Sequence, residues 1–195
     1  MSSRNAQAVV WTVGLLPVAG LVARFLLGDG LGADPIEVVT HTTGDWTLRL
    51  LLLTLAVTPA RVVLGWRRVA PFRRTLGLLA FTYACLHFAT WLVLDNFFDW
   101  NAMLEDVAKR RYITVGFAAF LCLVPLAATS TRAAVRRLGR RWITLHRLVY
   151  VAALGGVVHY WWLVKADILA PASYAAVLAA LLGWRVVEAR RRASR

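Results

Sequence analysis

The sequence predicts an all-α polytopic membrane protein, a bundle of six transmembrane helices, and three observations carry that expectation. The chain has 195 residues, of which 59% are hydrophobic, and its mean hydropathy is +0.61, too apolar for a water-soluble domain of this size. Only 17% of the residues are charged, and they gather in short clusters. Between the clusters lie six apolar runs of about 20 residues, the length that crosses a hydrocarbon layer of about 30 Å at about 1.5 Å per residue.

The spans are expected at residues 9–27, 46–64, 75–94, 112–128, 142–164 and 171–187. The first run is as long as the others and precedes no small-residue cleavage site, so it is expected to stay as a span rather than to leave as a signal peptide. The second follows the polar strings GADP (32–35) and THTTGD (40–45). The third rises from the basic pair Arg73 and Arg74 and holds His87, and the fifth starts at Trp142 and holds His146 and His159. No internal repeat or low-complexity segment is evident, and no loop is long enough for a second domain. A single membrane domain over residues 1–195 is the expectation.

An even number of spans puts both termini on one side, and the charges sort by side. Arg4, Arg61, Arg67, Arg68, Arg73, Arg74, Arg132, Arg136, Arg137, Arg140, Arg141, Arg147, Arg185, Arg190, Arg191, Arg192 and Arg195 share the side of the termini, 17 of the 23 basic residues. The other side holds nine of the ten acids: Asp29, Asp34, Glu37, Asp45, Asp95, Asp99, Glu105, Asp106 and Asp167. The positive-inside rule then places both termini in the cytoplasm. Lys109, Arg110 and Arg111 run against the pattern, with Glu105 and Asp106 beside them. Trp46, Trp91, Trp100, Trp161 and Trp162 fall near outer span ends and Trp66, Trp142 and Trp184 near inner ones, as interfacial belts require.

Several function classes drop out. The net charge of +13 is accounted for by orientation, without nucleic acid. No GxGxxG opens a βαβ unit and no GxxxxGK is present, so nicotinamide chemistry is left to another chain. Cys85 and Cys122 lie in apolar runs without CxxC spacing, which excludes a thiol redox or zinc motif, and the lack of CxxCH excludes covalent haem attachment.

The histidines are the chemical signal, because ionisable groups at membrane depth are costly unless they have a task. His87 lies 14 residues beyond Arg73, ~21 Å along a helix. His159 lies 13 residues beyond His146, ~20 Å along the fifth span. His87 and His159 are therefore expected at one depth in the outer half, and His146 level with Arg73 at the inner face. Two neutral imidazoles facing each other in an apolar bundle suit a bis-histidine b-type haem, which carries electrons because both axial positions are filled. Zinc fits less well, since two histidines alone leave its coordination short. On an ideal helix His146 and His159 are ~140° apart, so tilt, a π-bulge or approach to two haems from different sides is needed to reconcile them. Gly155 and Gly156 between them fit close helix packing.

The strings above, with RRTLGLLAFTYACLH ending at His87, KRRYITVGF from Lys109, TSTRAAVRRLGRRWITLHRLVY through His146 and HYWWLVKAD from His159, resemble the ferric-reductase-like transmembrane family over nearly the whole chain. Its NADPH oxidase and STEAP-type members share the two fifth-helix histidines. The oxidases carry a second third-helix histidine where Arg73 stands here. The resemblance implies haem on His87 and His159. It leaves His146 as ligand of a possible second haem, with Arg73 or Arg74 pairing with a propionate or quinone oxygen or serving only as orientation charge. His41, in the loop expected before the second span, is a secondary candidate near the outer haem or a quinone, beside the alternative of a solvated capping segment. FMN is implied by the resemblance alone.

The implied function is an electron-transfer subunit of the bacterial inner membrane, itself non-catalytic. Electrons come from the quinol pool or a cytoplasmic flavin reductase and go to a periplasmic molybdopterin enzyme that repairs methionine sulfoxide. Two alternatives remain: a stand-alone cytochrome b that reduces ferric iron or oxygen, and a haem-free transporter or assembly scaffold.

Overall fold

The computed structural model describes residues 3–28, 30–164 and 166–194, without the side chains of residues 3 and 4. Among the orientation charges, Asp29 and Arg195 lie outside the described residues, as does the Arg4 side chain. The described chain is helical, in the order α1 (Ser3–Leu26), α2 (Pro35–Val63), α3 (Phe72–Ala89), α4 (Trp100–Lys109), α5 (Arg111–Ala128), α6 (Arg132–Leu138), α7 (Arg140–Leu145), α8 (Leu148–Leu163) and α9 (Leu169–Ala193). Six segments are long and apolar enough to span: Asn5–Leu26, Pro35–Val63, Phe72–Asp95, Arg111–Ala128, Arg140–Leu163 and Leu169–Ala193, with mean hydropathies of 1.2 to 1.9. The chain is thus an all-α, multi-pass membrane protein.

The spans alternate in direction, so one end of the bundle gathers Asp34, Glu37, Asp95, Asp99, Glu105 and Asp106 and the other Arg67, Arg68, Arg73, Arg74, Arg132, Arg136, Arg137, Arg140 and Arg141. These are called the acidic and basic ends below. Helix α2 packs chiefly on α3, and α5 on α8; α3 also touches α5 and α8 touches α2, closing a four-helix core. Helix α1 lies outside against α3, and α9 against α8 and α2. The core between them is leucine- and alanine-rich, with Leu55, Leu79 and Tyr83 fully buried. Large apolar side chains on the outer faces, such as Val13, Leu16 and Phe25 of α1, are exposed, as a lipid-facing surface must be.

In lipid, packing and polar ties hold helices together more than the hydrophobic effect does. One tie is the Tyr83 hydroxyl, which donates to the Gly14 carbonyl at 2.7 Å and fastens α1 to α3. Tyr83→Phe is expected to lower resistance to unfolding in mixed detergent by about 0.5–2 kcal/mol. A denaturation midpoint equal to that of the unmodified protein would show the tie to be worth nothing.

The helix boundaries depart from the sequence expectation where polar residues are helical. Helix α2 begins at Pro35, well before the apolar run at Trp46. Asp34 caps it, accepting from the Glu37 amide at 3.0 Å, and Pro35 occupies the first turn, where its missing N–H costs nothing. His41 therefore stands inside α2 and not in a loop or cap. Arg73 and Arg74 likewise belong to the first turn of α3 rather than to a loop.

The fifth span is not one continuous helix. The chain turns at His146 and Arg147 between α7 and α8, so the two histidines sit on separate segments and the ~140° of an ideal helix does not carry over from one to the other. The π-turn falls elsewhere, at Thr90–Asp95 directly after α3. There the Thr90 hydroxyl donates to the His87 carbonyl at 2.7 Å, which also accepts from the Thr90 backbone N–H. Beyond it Phe97 and Phe98 adopt left-handed backbone (φ 47° and 61°), and Asp99 caps α4, a short helix outside the spans that the sequence reading did not foresee. Two residues of the basic cluster that broke the charge pattern are paired locally, Arg110 with Asp106 at 3.1 Å and Lys109 with Glu105.

Candidate functional site

Where the two helix pairs meet, a cavity of about 270 Å³ opens among α2, α3, α5 and α8. Its walls are mostly apolar toward the bundle centre, at Leu48, Leu51, Phe120 and Leu123, whereas His41, Asp95 and Arg110 line it toward the acidic end. His87 of α3 and His159 of α8 enter from opposite sides, with ring centroids 6.0 Å apart and planes at 79°. His159 lies four residues from the end of α8, about one helical turn inside the acidic end.

Each imidazole is tied to the partner helix of its own pair. His87 Nδ1 is 3.0 Å from the Thr40 carbonyl on α2, with the Thr43 hydroxyl at 3.5 Å. His159 Nδ1 is 2.7 Å from the Tyr112 carbonyl on α5. A carbonyl oxygen only accepts, so in each ring Nδ1 carries the proton and Nε2 keeps its lone pair, the state in which histidine binds a metal. Hydrogen-bonding the remote nitrogen to a carbonyl is how ligating histidines are generally oriented.

The spacing suits one metal between the rings. Two imidazoles that shared one metal, each through a metal–nitrogen bond of about 2 Å, would have ring centres about 6 Å apart. The angle between ring planes is free, since each ring turns about its metal–nitrogen bond. Among the described residues no group of three or more His, Cys, Asp or Glu side chains converges as a metal site. A metal held by this pair needs its equatorial ligands from elsewhere, as a porphyrin supplies them.

The remaining sequence candidates are distributed differently. His146 is at the basic end, its ring stacked on Trp142 at 3.8 Å and its Nε2 3.0 Å from the Thr129 hydroxyl. Arg73 is near enough to interact with it electrostatically, while Arg74 is exposed. His41 reaches the cavity rim, 3.6 Å from the Glu37 carboxylate.

Sequence reasoning missed several residues. The carbonyls of Thr40 and Tyr112 carry no side-chain signal at all. Gly44 and Gly116, which lie against the two imidazoles, carry a weak one: a glycine within a helix is unfavourable unless something approaches closely. Arg185, counted from sequence as an orientation charge, turns into the bundle, where it donates to the Leu55 carbonyl at 2.9 Å and stands 5.1 Å from the Tyr150 ring centre. Arg49 ties α2 to α9 by donating to the Tyr174 hydroxyl at 2.9 Å, and it pairs with Asp45 at 3.1 Å.

The fold and site define a six-span, all-α membrane protein with one histidine pair facing across its cavity. The family described as ferric reductase like transmembrane component matches residues 43–157, and the chain belongs to that family. It is also similar to the protein-methionine-sulfoxide reductase heme-binding subunit MsrQ of several bacteria. The Rhodospirillum rubrum protein is 53% identical over 190 residues, covering 97% of this chain and 91% of that one. The Herminiimonas arsenicoxydans protein is 52% identical, covering 92% and 84%, and the Azospira oryzae protein 53% identical, covering 93% and 78%.

Proposed function

We propose that this chain is the haem-binding, electron-transferring membrane subunit of a methionine sulfoxide reductase system. The observation that supports it best is the His87–His159 pair, 6.0 Å apart across the cavity with each Nδ1 bound to a helix carbonyl. Relatives of about 50% identity over most of the chain are named for that role.

The residues present fit a b-type haem. His87 and His159 would hold its iron, the carbonyls of Thr40 and Tyr112 would orient the two rings, and Leu48, Leu51, Phe120 and Leu123 would keep water out of the cavity. Such a haem supplies one-electron chemistry with no open position for a substrate. We assign one haem. His146 faces no second imidazole, and its Nε2 is engaged by Thr129.

The charge asymmetry supports a bacterial inner-membrane protein with cytoplasmic termini and with the histidine pair near the periplasmic face. In that orientation the chain takes electrons from the quinol pool or a cytoplasmic flavin reductase and delivers them to the periplasmic molybdopterin subunit MsrP, which performs the repair.

The test is reconstitution in liposomes with a quinol and MsrP. Methionine sulfoxide reduction is expected only when the haem-loaded chain is present. Rapid reduction of ferric iron without transfer to MsrP would replace this reading with a stand-alone reductase, and a purified protein lacking a Soret band would replace it with a haem-free scaffold.

A further inference from the structure

The cavity repeats itself, although the sequence shows no repeat. Of the 25 described residues that line it, 22 fall into eleven pairs separated by 72 positions. Three of these pairs are Thr40 and Tyr112, Gly44 and Gly116, and His87 and His159. In both halves the imidazole bonds a carbonyl 47 residues earlier in the chain. Helices α2 and α5 both start at the acidic end, and α3 and α8 both run back toward it. The contacts α2–α3 and α5–α8, with α3–α5 and α8–α2, map onto one another when the halves are exchanged. Two copies of one helix pair thus face each other across the cavity, related by an approximate half-turn about the bundle axis. Leu51 pairs with Leu123 as well, but pairs such as His41 with Ile113 and Asp45 with Phe117 differ in chemistry, which hides the repeat from sequence comparison.

The glycines are part of what the repeat preserves. Each stands one turn beyond the carbonyl that accepts from its histidine. A side chain leans toward the N-terminus of its helix, so a Cβ at these positions would cover that carbonyl. A Cβ on Gly116 would come within 2.5 Å of His159 Nδ1 and 2.9 Å of Cε1. One on Gly44 would lie 3.1 Å from His87 Cε1 and 3.2 Å from Nδ1.

We propose that Gly44 and Gly116 are positioning residues of a two-fold cradle: each leaves a helix carbonyl open to the Nδ1–H of the facing imidazole, so that both Nε2 lone pairs are held toward one metal. This rests on the haem reading of the site. Hydrogen-bonded Nδ1 makes an imidazole a stronger donor, which favours ferric iron, so loss of either bond raises the haem midpoint potential. Loss of such an orienting contact typically weakens metal binding by about 10–100-fold.

The test compares Gly44→Ala and Gly116→Ala with Gly14→Ala, whose Cβ would meet Leu79 Cδ1 at 2.6 Å far from either imidazole. Haem affinity, ferric electron paramagnetic resonance g-values and midpoint potential are measured on each purified protein. Gly116→Ala is expected to show the larger change, Gly44→Ala a smaller one of the same sign, and Gly14→Ala a loss of thermal stability alone. Because Gly116→Ala could fail to fold, electron–nuclear double resonance on the unmodified protein provides an independent arm, with an exchangeable Nδ1 proton expected on both axial rings. Wild-type haem properties in both cradle variants, changes confined to thermal stability, or a missing Nδ1 proton would overturn the proposal. An unmodified protein without haem would instead overturn the reading of the site on which it stands.

Discussion

Replacing His87 or His159 by alanine is expected to abolish haem binding, because the proposed site would hold the iron through both rings. Haem content measured by pyridine haemochromogen should fall below about a tenth of that of the unmodified protein, consistent with the large losses that follow removal of a metal ligand or its orienting shell. The two variants should behave alike, since the cavity holds the rings in equivalent surroundings, each with Nδ1 on a helix carbonyl. His146→Ala should keep the reduced-minus-oxidised spectrum, its ring being stacked on Trp142 at the other end of the bundle. Full spectra in both His87→Ala and His159→Ala would refute the ligand assignment, and loss of half the haem in His146→Ala would restore a second site.

Filling the cavity should be as damaging to haem binding while sparing both ligands. Ala84 lines the cavity from α3 and is buried, so Ala84→Phe places a ring where the macrocycle would lie. Haem occupancy is expected to drop about tenfold or more. The fold should survive, because overpacking a core costs about 1–3 kcal/mol and here the new side chain enters a void. Circular dichroism and haem titration on one sample separate the effects. If Ala84→Phe binds haem at full stoichiometry, the macrocycle lies outside this cavity even though the histidines line it.

Much of the fold was legible because a membrane constrains sequence so strongly. Hydrocarbon demands about 20 apolar residues per crossing and excludes charge, so the six runs and the two-sided charge distribution had to appear in the sequence. The match in depth between His87 and His159 followed from helical rise alone. Hydropathy failed where helix and membrane do not end together. The polar stretch that holds His41 is helical because Asp34 and Pro35 start α2 there, and hydropathy does not register capping. The break at His146 depends on local backbone geometry that the apolar pattern runs straight through.

The sequence by itself determined the number of crossings, the segregation of charge to the two ends, and the level at which two imidazoles lie, since each of these follows from composition and a fixed rise per residue. Only the tertiary structure decided which helices pair, which carbonyl each imidazole meets, and that the two halves of the cavity repeat at a spacing of 72 residues. Those depend on contacts between residues 47 apart, made by backbone atoms and by glycines without side chains. A backbone carbonyl leaves no mark on the sequence, and the side chain that is absent matters only once something is seen to occupy its place.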